Sequence, residues 1–200
     1  IYGTDYHSHL GTEFGGVAVL GETFQREIHS ISQSQFKAKF LEKQYHGNKG
    51  IGVISSLDEQ PIYVQSKLGK FCLVTVGFIE NAQELAERLM EEGVSFAETS
   101  KGPVNMTELV AKLIIRSNSI VEGIEVMFQA IQGSCSLLLL HEEGLYAARD
   151  RFGYTPLAIG RRQDAIAISS ETSSFPNNGF HPVKDLAPGE IVLVTESGLS

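Results

Sequence analysis

Residues 134–150 of this 200-residue chain read "SCSLLLLHEEGLYAARD", and this stretch decides the fold class. Two apolar runs stand on either side of a Glu-Glu-Gly turn, which predicts a β-hairpin. The stretch 156–171, "PLAIGRRQDAIAISSE", repeats the pattern around Arg-Gln-Asp, and 189–198, "GEIVLVTESG", adds a final strand. Because successive hairpins join neighbouring strands, the C-terminal half of the chain is predicted to be antiparallel sheet.

Three helices are predicted in the middle of the chain, over 81–92, 105–116 and 120–131. The first and last end next to glycines, and the second is opened by Asn105 or Thr107, both of which are capping residues. Strands and helices do not alternate after Gly133, so a doubly wound parallel sheet is disfavoured.

The first 80 residues are predicted to supply further strands and one helix. The strands lie at 15–21, 24–31, 47–56 and 61–77, and the helix lies at 33–44. Strands on both sides of a helical block predict helices packed outside two antiparallel sheets. The absence of a repeat or a low-complexity linker indicates one continuous domain over 1–200.

A corner is predicted within 71–85, "FCLVTVGFIENAQEL". The strand over 71–76 is expected to break at Gly77 and lead into a helix, a place where backbone amides often meet a ligand. The side chains of Val76 and Phe78 can neither move a proton nor donate a hydrogen bond. The corner is therefore either a binding loop without its chemistry or a plain turn.

Composition excludes several classes of function. The net charge of −8 argues against nucleic-acid and anionic-membrane surfaces, because cations are outnumbered and hardly clustered. No apolar stretch reaches the roughly 20 residues of a membrane span, and no signal peptide is present. Cys72 and Cys135 stand in apolar runs, which predicts two buried thiols in a protein of the reducing cytoplasm.

Two clusters of polar residues could carry chemistry. His7 and His9 have the spacing of metal ligands, but a third ligand is not visible, so a hydrogen-bonding role is favoured and no metal site is predicted. Arg149, Asp150 and Arg151 are expected to pair with one another and hold a turn.

Several segments, in order, resemble the class II glutamine amidotransferase domain of the amidophosphoribosyltransferase family. The C-terminal half carries the specific part of this resemblance, which spans nearly the whole chain. The matching segments are "HLGTEFGGVAV" at 9–19, "GSCSLLLL" at 133–140, "LYAARDRFGYTPLAIG" at 145–160, "SSE" at 169–171 and "PGEIV" at 188–192.

The resemblance implies an α+β fold of the N-terminal-nucleophile hydrolase type, a four-layer αββα sandwich of two antiparallel sheets. In active members an N-terminal cysteine attacks the amide of glutamine, and its own α-amine acts as the base. An Asn-Gly corner holds the oxyanion, while an arginine and an aspartate hold the carboxylate and amine of glutamine. The strand that carries the cysteine would precede Ile1, so the resemblance places no catalytic residue within this chain.

The residues expected to bind glutamine are replaced in this sequence. The family's His-Asn-Gly-Asn corner matches 75–78, the carboxylate-binding arginine matches Ser55, and the amine-binding aspartate matches Met106. The arginine of the family's His-Arg-Gly segment matches Leu10. The degenerate pocket positions are thus Leu10, Ser55, Thr75, Val76, Gly77, Phe78 and Met106.

Three hypotheses of function follow from these departures. The first is a structural or regulatory homologue without glutaminase activity, beside a phosphoribosyltransferase domain that would follow Ser200. The second is an active amidotransferase with its cysteine upstream of Ile1. The third is a small-metabolite binding domain with His7, His9 and Thr12 at the mouth of its site. The candidate polar pocket residues are His9, Thr12, Asn81, Thr107 and Glu108. No cofactor is expected, and a homo-oligomer is a further alternative.

Overall fold

The computed structural model describes residues 1–9 and 11–200, and its strands form three antiparallel sheets. The first sheet has the order β2-β1-β3, with β1 at Phe14–Leu20, β2 at Phe24–Ser30 and β3 at Lys49–Ser55. The second sheet has six strands in the order β12-β11-β7-β6-β5-β4. Its strands are β4 (Ile62–Ser66), β5 (Gly69–Ile79), β6 (Gly133–His141), β7 (Leu145–Ala148), β11 (Ile191–Thr195) and β12 (Gly198–Leu199). The third has the order β10-β8-β9, with β8 at Ala158–Arg162, β9 at Ala165–Ser169 and β10 at His181–Asp185.

The predicted hairpins form in the C-terminal half. Strands β6 and β7 pair up to Leu140 and Leu145, and the turn between them is closed by hydrogen bonds between the backbones of His141 and Gly144. Strands β8 and β9 pair up to Arg162 and Ala165 around a two-residue turn. The stretch quoted at the outset therefore supplies two adjacent strands of the central sheet.

Six helices occur among the described residues. They are α1 (Tyr2–Asp5), α2 (Phe36–Phe40), α3 (Ala82–Glu91), α4 (Met106–Ile114), α5 (Ile120–Ala130) and α6 (Ser174–Asn177). The side chain of Asn105 accepts the amide of Glu108, and that of Ser119 accepts the amide of Glu122, so both caps satisfy a donor that the helix leaves free. Among the described residues, no helix is long and apolar enough to cross a membrane.

The helix predicted over 33–44 is shorter than expected. Only five residues are helical, because Phe36 and Phe40 lie one turn apart and are buried, whereas residues 41–44 are all exposed. The two rings stack with centroids 4.4 Å apart and pack against Val17. Without further apolar positions on that face, nothing in the core holds a longer helix.

The strand predicted to break at Gly77 instead continues to the end of β5 at Ile79. Its pairing with β6 is unbroken, and Val76, Gly77 and Phe78 lie opposite residues 134–136. The prediction of a strand-to-helix corner at Gly77 was wrong, because a glycine can stay within a paired strand at an unusual φ. The helix begins at Ala82, after a short turn.

The sheets and helices form four layers. Helices α3, α4 and α5 cover one face of the six-stranded sheet and share a core with Leu73 and Leu139. The opposite face packs on the first sheet through Cys72 and Ala18, and on the third sheet through Ala147. Helix α2 lies outside the first sheet and α6 outside the third. The layer facing the six-stranded sheet is thus divided into two sheets of three strands each.

The charged run 149–151 holds a turn, but not by the predicted ion pairing. The Asp150 carboxylate accepts the amides of Phe152 and Thr155 at 3.0 and 2.8 Å. The Arg149 guanidinium donates to the carbonyl oxygens of Leu186 and Gly153. Because both side chains bond to backbone groups instead of to each other, the expected pairing between them was wrong.

Candidate functional site

A cavity of about 410 Å³ opens between the first and third sheets, which lie side by side on one face of the six-stranded sheet. Its walls are residues 50–54 of β3 and 166–169 of β9, and its floor is 74–76 of β5 with 136–138 of β6. The N-terminal segment of the chain and the region around α6 cover it. We call this space the inter-strand cavity.

The inter-strand cavity lacks charged side chains. None of the described residues that line it is Asp, Glu, Lys or Arg, and half of them are Ala, Val, Leu or Ile. The polar groups that reach it include the side chains of Thr4, His7, Thr75, Ser136 and Asn178. The cavity can therefore hold apolar or neutral hydrogen-bonding groups, but it offers neither a fixed cation nor a fixed anion.

The side chain of Gln60 forms two hydrogen bonds with the backbone of Thr75, as the backbone of a neighbouring strand would. The amide of Thr75 donates to Gln60 Oε1 at 2.9 Å, and Gln60 Nε2 donates to the carbonyl of Thr75 at 3.2 Å. The hydroxyl of Thr107 lies 2.6 Å from that of Thr75 and donates to Gln60 Oε1. Thr107, one of the candidate polar pocket residues, is fully buried and does not itself line the cavity.

The positions that match the family's oxyanion corner lie on the last residues of β5. Val76 lines the cavity but remains 44% exposed, and Phe78 is 62% exposed. Gly77 has φ of +143°, and a Cβ there would lie 2.2 Å from the carbonyl oxygen of Ser134. The apolar side chains of Val76 and Phe78 are thus largely exposed to solvent.

Ser55, at the position of the family's arginine, stabilises a loop. Its Oγ accepts the backbone amides of Leu57 and Asp58, at 3.4 and 3.1 Å. This arrangement holds the chain between β3 and β4 in a turn. A hydroxyl used in this way supplies no charge to a bound carboxylate.

Met106, at the position of the family's aspartate, begins α4 and packs partly against the helical core. Its backbone amide donates to Oδ2 of Asp58, whose other oxygen accepts the hydroxyl of Ser100 at 2.6 Å. Burial raises the pKa of the Asp58 carboxyl, and these hydrogen bonds oppose the shift. The Asp58 carboxylate therefore holds the loop and the start of α4 together, and it does not line the cavity.

Asn81 and Glu108, two further candidates, lie away from the inter-strand cavity. Asn81 donates to the carbonyl of Ala130 and accepts the amide of Gln132, and so joins α3 to the end of α5. Glu108 accepts the amides of Ala97 and Glu98, and its carboxylate is buried. Both side chains hold neighbouring segments of the helical layer in place.

The two histidines near the N-terminus contact the end of β9. His7 Nδ1 lies 2.9 Å from the carbonyl of Gly3, and its Nε2 lies 3.2 Å from the hydroxyl of Ser169. His9 Nε2 lies 3.0 Å from a carboxylate oxygen of Glu171. Of the candidates in this region, Thr12 is exposed, whereas Leu10 lies outside the described residues.

Neither cysteine has the setting of a nucleophile. Cys72 and Cys135 are both buried and unpaired, as the sequence predicted. Burial raises the pKa of each thiol to about 12, and Asp150 adds to the shift at Cys135. Across 1–9 and 11–200 no three His, Cys, Asp or Glu side chains are grouped as ligands for a metal ion.

Sequence reasoning missed several residues of this region. Gln60, Ser169 and Asn178 stand far apart in the chain, and none belongs to a motif that predicts its contacts. The segment "SSE" signalled only a family likeness, although Ser169 bonds to both His7 and Ser174.

Comparison with known proteins identifies relatives of this chain by sequence. Residues 49–177 match a family model described as "Glutamine amidotransferase domain". The amidophosphoribosyltransferase of Methanocaldococcus jannaschii is 28% identical over 98% of this chain and 43% of its own length. That of Methanothermobacter thermautotrophicus is 32% identical over 92% of this chain and 40% of its own length.

A solved structure agrees with these sequence matches. Glutamine phosphoribosylpyrophosphate amidotransferase from B. subtilis, complexed with ADP and GMP, superimposes with a TM-score of 0.85 at 26% identity. The match covers 99% of this chain and 45% of the other. The chain thus spans about two fifths of the length of the curated relatives described above.

Proposed function

This chain belongs to the glutamine amidotransferase domain family, and on that premise we propose that it keeps the glutaminase fold without binding glutamine. The resemblance and the fold type predicted from the sequence are both confirmed by the matches to phosphoribosylpyrophosphate amidotransferases. The chain is thus similar to the glutaminase domain of a purine-biosynthetic enzyme. The proposal is that this domain has lost the glutaminase activity.

The observation that carries the proposal is the uncharged lining of the inter-strand cavity. Free glutamine has a carboxylate and an ammonium group, and each needs a charged or strongly polar partner when it leaves water. Hydrogen bonds to charged groups contribute roughly 1.5–3 kcal/mol each, so losing the partners of both ends costs about 3–6 kcal/mol. At about 1.4 kcal/mol per factor of ten, affinity for glutamine falls about 10²- to 10⁴-fold.

The replaced residues support the same proposal. Ser55 and Met106 do not leave vacant polar positions, because Ser55 binds loop amides and Met106 packs against the core. The polar groups nearby are also committed to the fold, since Asp58 and Glu108 both accept backbone amides. A charge lost at one position is therefore not supplied by a described neighbour.

A structural or regulatory role follows for this domain. The relatives are amidophosphoribosyltransferases, and this chain matches about two fifths of their length. We place it beside a phosphoribosyltransferase domain in the full-length protein, where a domain without glutaminase activity could dock against its neighbour or control access to it. Such a transferase would take ammonia from solution or from another protein.

The test measures both glutamine binding and glutamate release by the full-length protein with its native N-terminus. Isothermal titration with L-glutamine to millimolar concentration is expected to show no saturable heat, and glutamate is expected to stay at the level of a blank. A cooperative unfolding transition on the same sample shows that the protein is folded. A bacterial glutaminase assayed in the same buffer shows that release is detectable.

The outcome that overturns the proposal is glutamate release that a cysteine-directed glutamine analogue abolishes. Mass spectrometry of the labelled protein then decides where the nucleophile lies. A label upstream of Ile1 would establish the second hypothesis, an active amidotransferase with its cysteine before this chain. Cys72 and Cys135 serve as internal controls, because buried thiols of pKa about 12 are expected to remain unlabelled.

A further inference from the structure

A second recess lies in the outer helical layer, between α1 and α2 on one side and the end of α6 on the other. Its volume is about 560 Å³, and small-molecule sites in proteins usually measure about 300–1,000 Å³. We call this space the helical groove. The described residues that line it are Tyr2, Asp5, Tyr6, Lys37, Asn177 and Asn178.

The lining of the helical groove is polar throughout. Its described residues bring two phenols, two amides, a carboxylate and an ammonium group, so each can form hydrogen bonds. No aliphatic side chain is among them, whereas half of the residues that line the inter-strand cavity are aliphatic. A ligand that leaves water for this groove must therefore be rich in hydrogen-bonding groups.

The two charged side chains of the helical groove are paired with each other. Nζ of Lys37 lies 3.1 Å from Oδ2 of Asp5, and this contact joins α2 to α1. A phosphate or a carboxylate would have to draw Lys37 away from its partner, and an amine would do the same to Asp5. The groove is therefore suited to a neutral ligand.

Two tyrosine rings stand on one side of the helical groove. Tyr2 is 57% exposed and Tyr6 is 39% exposed. The amide of Tyr6 donates to the carbonyl of Tyr2 at 3.3 Å, so the two residues lie one helical turn apart on the same face. An exposed tyrosine offers an apolar ring face next to a hydroxyl group.

The amide side chains of Asn177 and Asn178 stand on the other side, at the end of α6. Nδ2 of Asn178 donates to the carbonyl of Ser174 at 2.7 Å, which fixes this amide and leaves its oxygen as an acceptor. Asn177 is exposed to solvent. Aromatic faces thus stand beside neutral donors and acceptors.

This combination matches the chemistry of a sugar ring, which has C–H groups on its faces and hydroxyl groups around its edge. We propose that the helical groove binds a neutral monosaccharide. The faces of the sugar lie against Tyr2 and Tyr6, and its hydroxyl groups bond to Asn177, Asn178 and the polar groups of the Asp5–Lys37 pair. This inference does not depend on whether the domain binds glutamine.

Saturation-transfer difference NMR on the full-length protein tests the proposal, because the method detects weak binding through the signals of the ligand. The probes are D-glucose, D-galactose, D-mannose and D-ribose, each at millimolar concentration. We expect saturation to reach the ring C–H protons of at least one of them. Glycerol is the control ligand, since it has hydroxyl groups but no ring face, and it should receive no saturation.

Variants at the protein surface locate the binding. Tyr6→Ala removes one ring, so the affinity measured by titrating the sugar should fall roughly 2- to 10-fold. Asn177→Ala should also weaken binding, because it removes an exposed amide of the groove. Tyr154→Ala is the matched control, since Tyr154 is 74% exposed and lies outside the groove, and it should leave the affinity unchanged.

The urea midpoint of each variant shows that it is folded. The proposal is overturned if no probe receives saturation from the folded wild-type protein, or if glycerol receives as much as the sugars. It is also overturned if Tyr6→Ala and Asn177→Ala both bind the sugar as tightly as Tyr154→Ala does.

Discussion

At the scale of single residues, Gly77 is held at φ of +143° inside β5, a conformation that L side chains rarely adopt. The Gly77→Ala variant combines this strain with a clash, because its Cβ would lie 2.2 Å from the carbonyl of Ser134. Backbone strain of this kind costs about 1–3 kcal/mol, and the clash adds to it. We expect a lower urea midpoint with an unchanged m-value.

The matched control for Gly77 is Gly198. It has φ of +123°, but a Cβ there would meet no atom within 4 Å. Gly198→Ala therefore reports the strain without the clash and should cost less than Gly77→Ala. Equal losses in the two variants would mean that β5 shifts to relieve the contact with β6.

The Glu27 side chain predicts a specific dependence of stability on pH. Burial raises the pKa of Glu27, but hydrogen bonds from Tyr45, His29 and Lys43 outweigh this and lower it to about 2. Because an unfolded glutamate titrates near about 4.3, the ionised form stabilises the fold above that pH and its contribution is lost as pH falls toward 2. The stability difference between wild type and Glu27→Gln should therefore shrink from pH 6 to pH 2.5.

Urea midpoints at several pH values measure this difference. The exposed Glu125 on α5 supplies the control, since Glu125→Gln removes a carboxylate that is not buried. A difference between wild type and Glu27→Gln that stays constant down to pH 2.5 would show that the contacts with Tyr45 and Lys43 do not stabilise the charged form.

At the scale of elements, Asp58 ties the loop after β3 to the start of α4. Its carboxylate accepts the amide of Met106 and the hydroxyl of Ser100, and it is 3% exposed. Asp58→Ala leaves both donors without this acceptor, so we expect a loss of about 1–3 kcal/mol in the free energy of unfolding. Asp58→Asn should lose less, because an amide oxygen still accepts and burial already favours the neutral side chain.

The control for Asp58 is Asp164, which is fully exposed on the β8–β9 turn and pairs with Arg162. Asp164→Ala should leave the urea midpoint close to that of the wild type, because the side chain is exposed. Similar losses for Asp58→Ala and Asp164→Ala in urea titrations would contradict the role assigned to Asp58.

The elements that could be predicted from sequence are those with local signals. Hairpins with short turns and helices with capping side chains are encoded within a few residues, as at Asn105 and Gly144. The end of α2 at Phe40 and the continuation of β5 through Gly77 depend on what the rest of the fold places beside them. Residue type alone does not encode that contact.

At the scale of the whole molecule, the site likewise combines positions that the sequence identifies with contacts that it does not predict. The positions 75–78 and Ser55 could be identified by family likeness, but their hydrogen bonds could not. Gln60 pairs with Thr75 across 15 residues, and His7 reaches Ser169 across 162. The division of one layer into two sheets is a long-range property of β3 and β9, and neither strand shows it alone.

The distribution of buried residues predicts that the molecule does not open all at once. The core between the six-stranded sheet and α3–α5 contains most of the fully buried side chains, including Leu139. The third sheet is less buried, since every residue of β10 is exposed and every residue of β9 is only partly buried. Native-state hydrogen exchange in low urea should show β8 and β9 opening before β5 and β6.

Two core variants test this order because they destabilise different units. Leu139→Ala should lower the opening free energy of β5 and β6 amides by about 2–5 kcal/mol and leave that of β8 and β9 unchanged, since Leu139 faces the helices. Ile159→Ala, in the third sheet, should lower the opening free energies of the β5/β6 amides and the β8/β9 amides by the same amount. The reason is that the contacts of Ile159 are lost when β8 and β9 open, and they stay lost when β5 and β6 open afterwards. If Leu139→Ala lowers both sets equally, the four layers unfold as one cooperative unit.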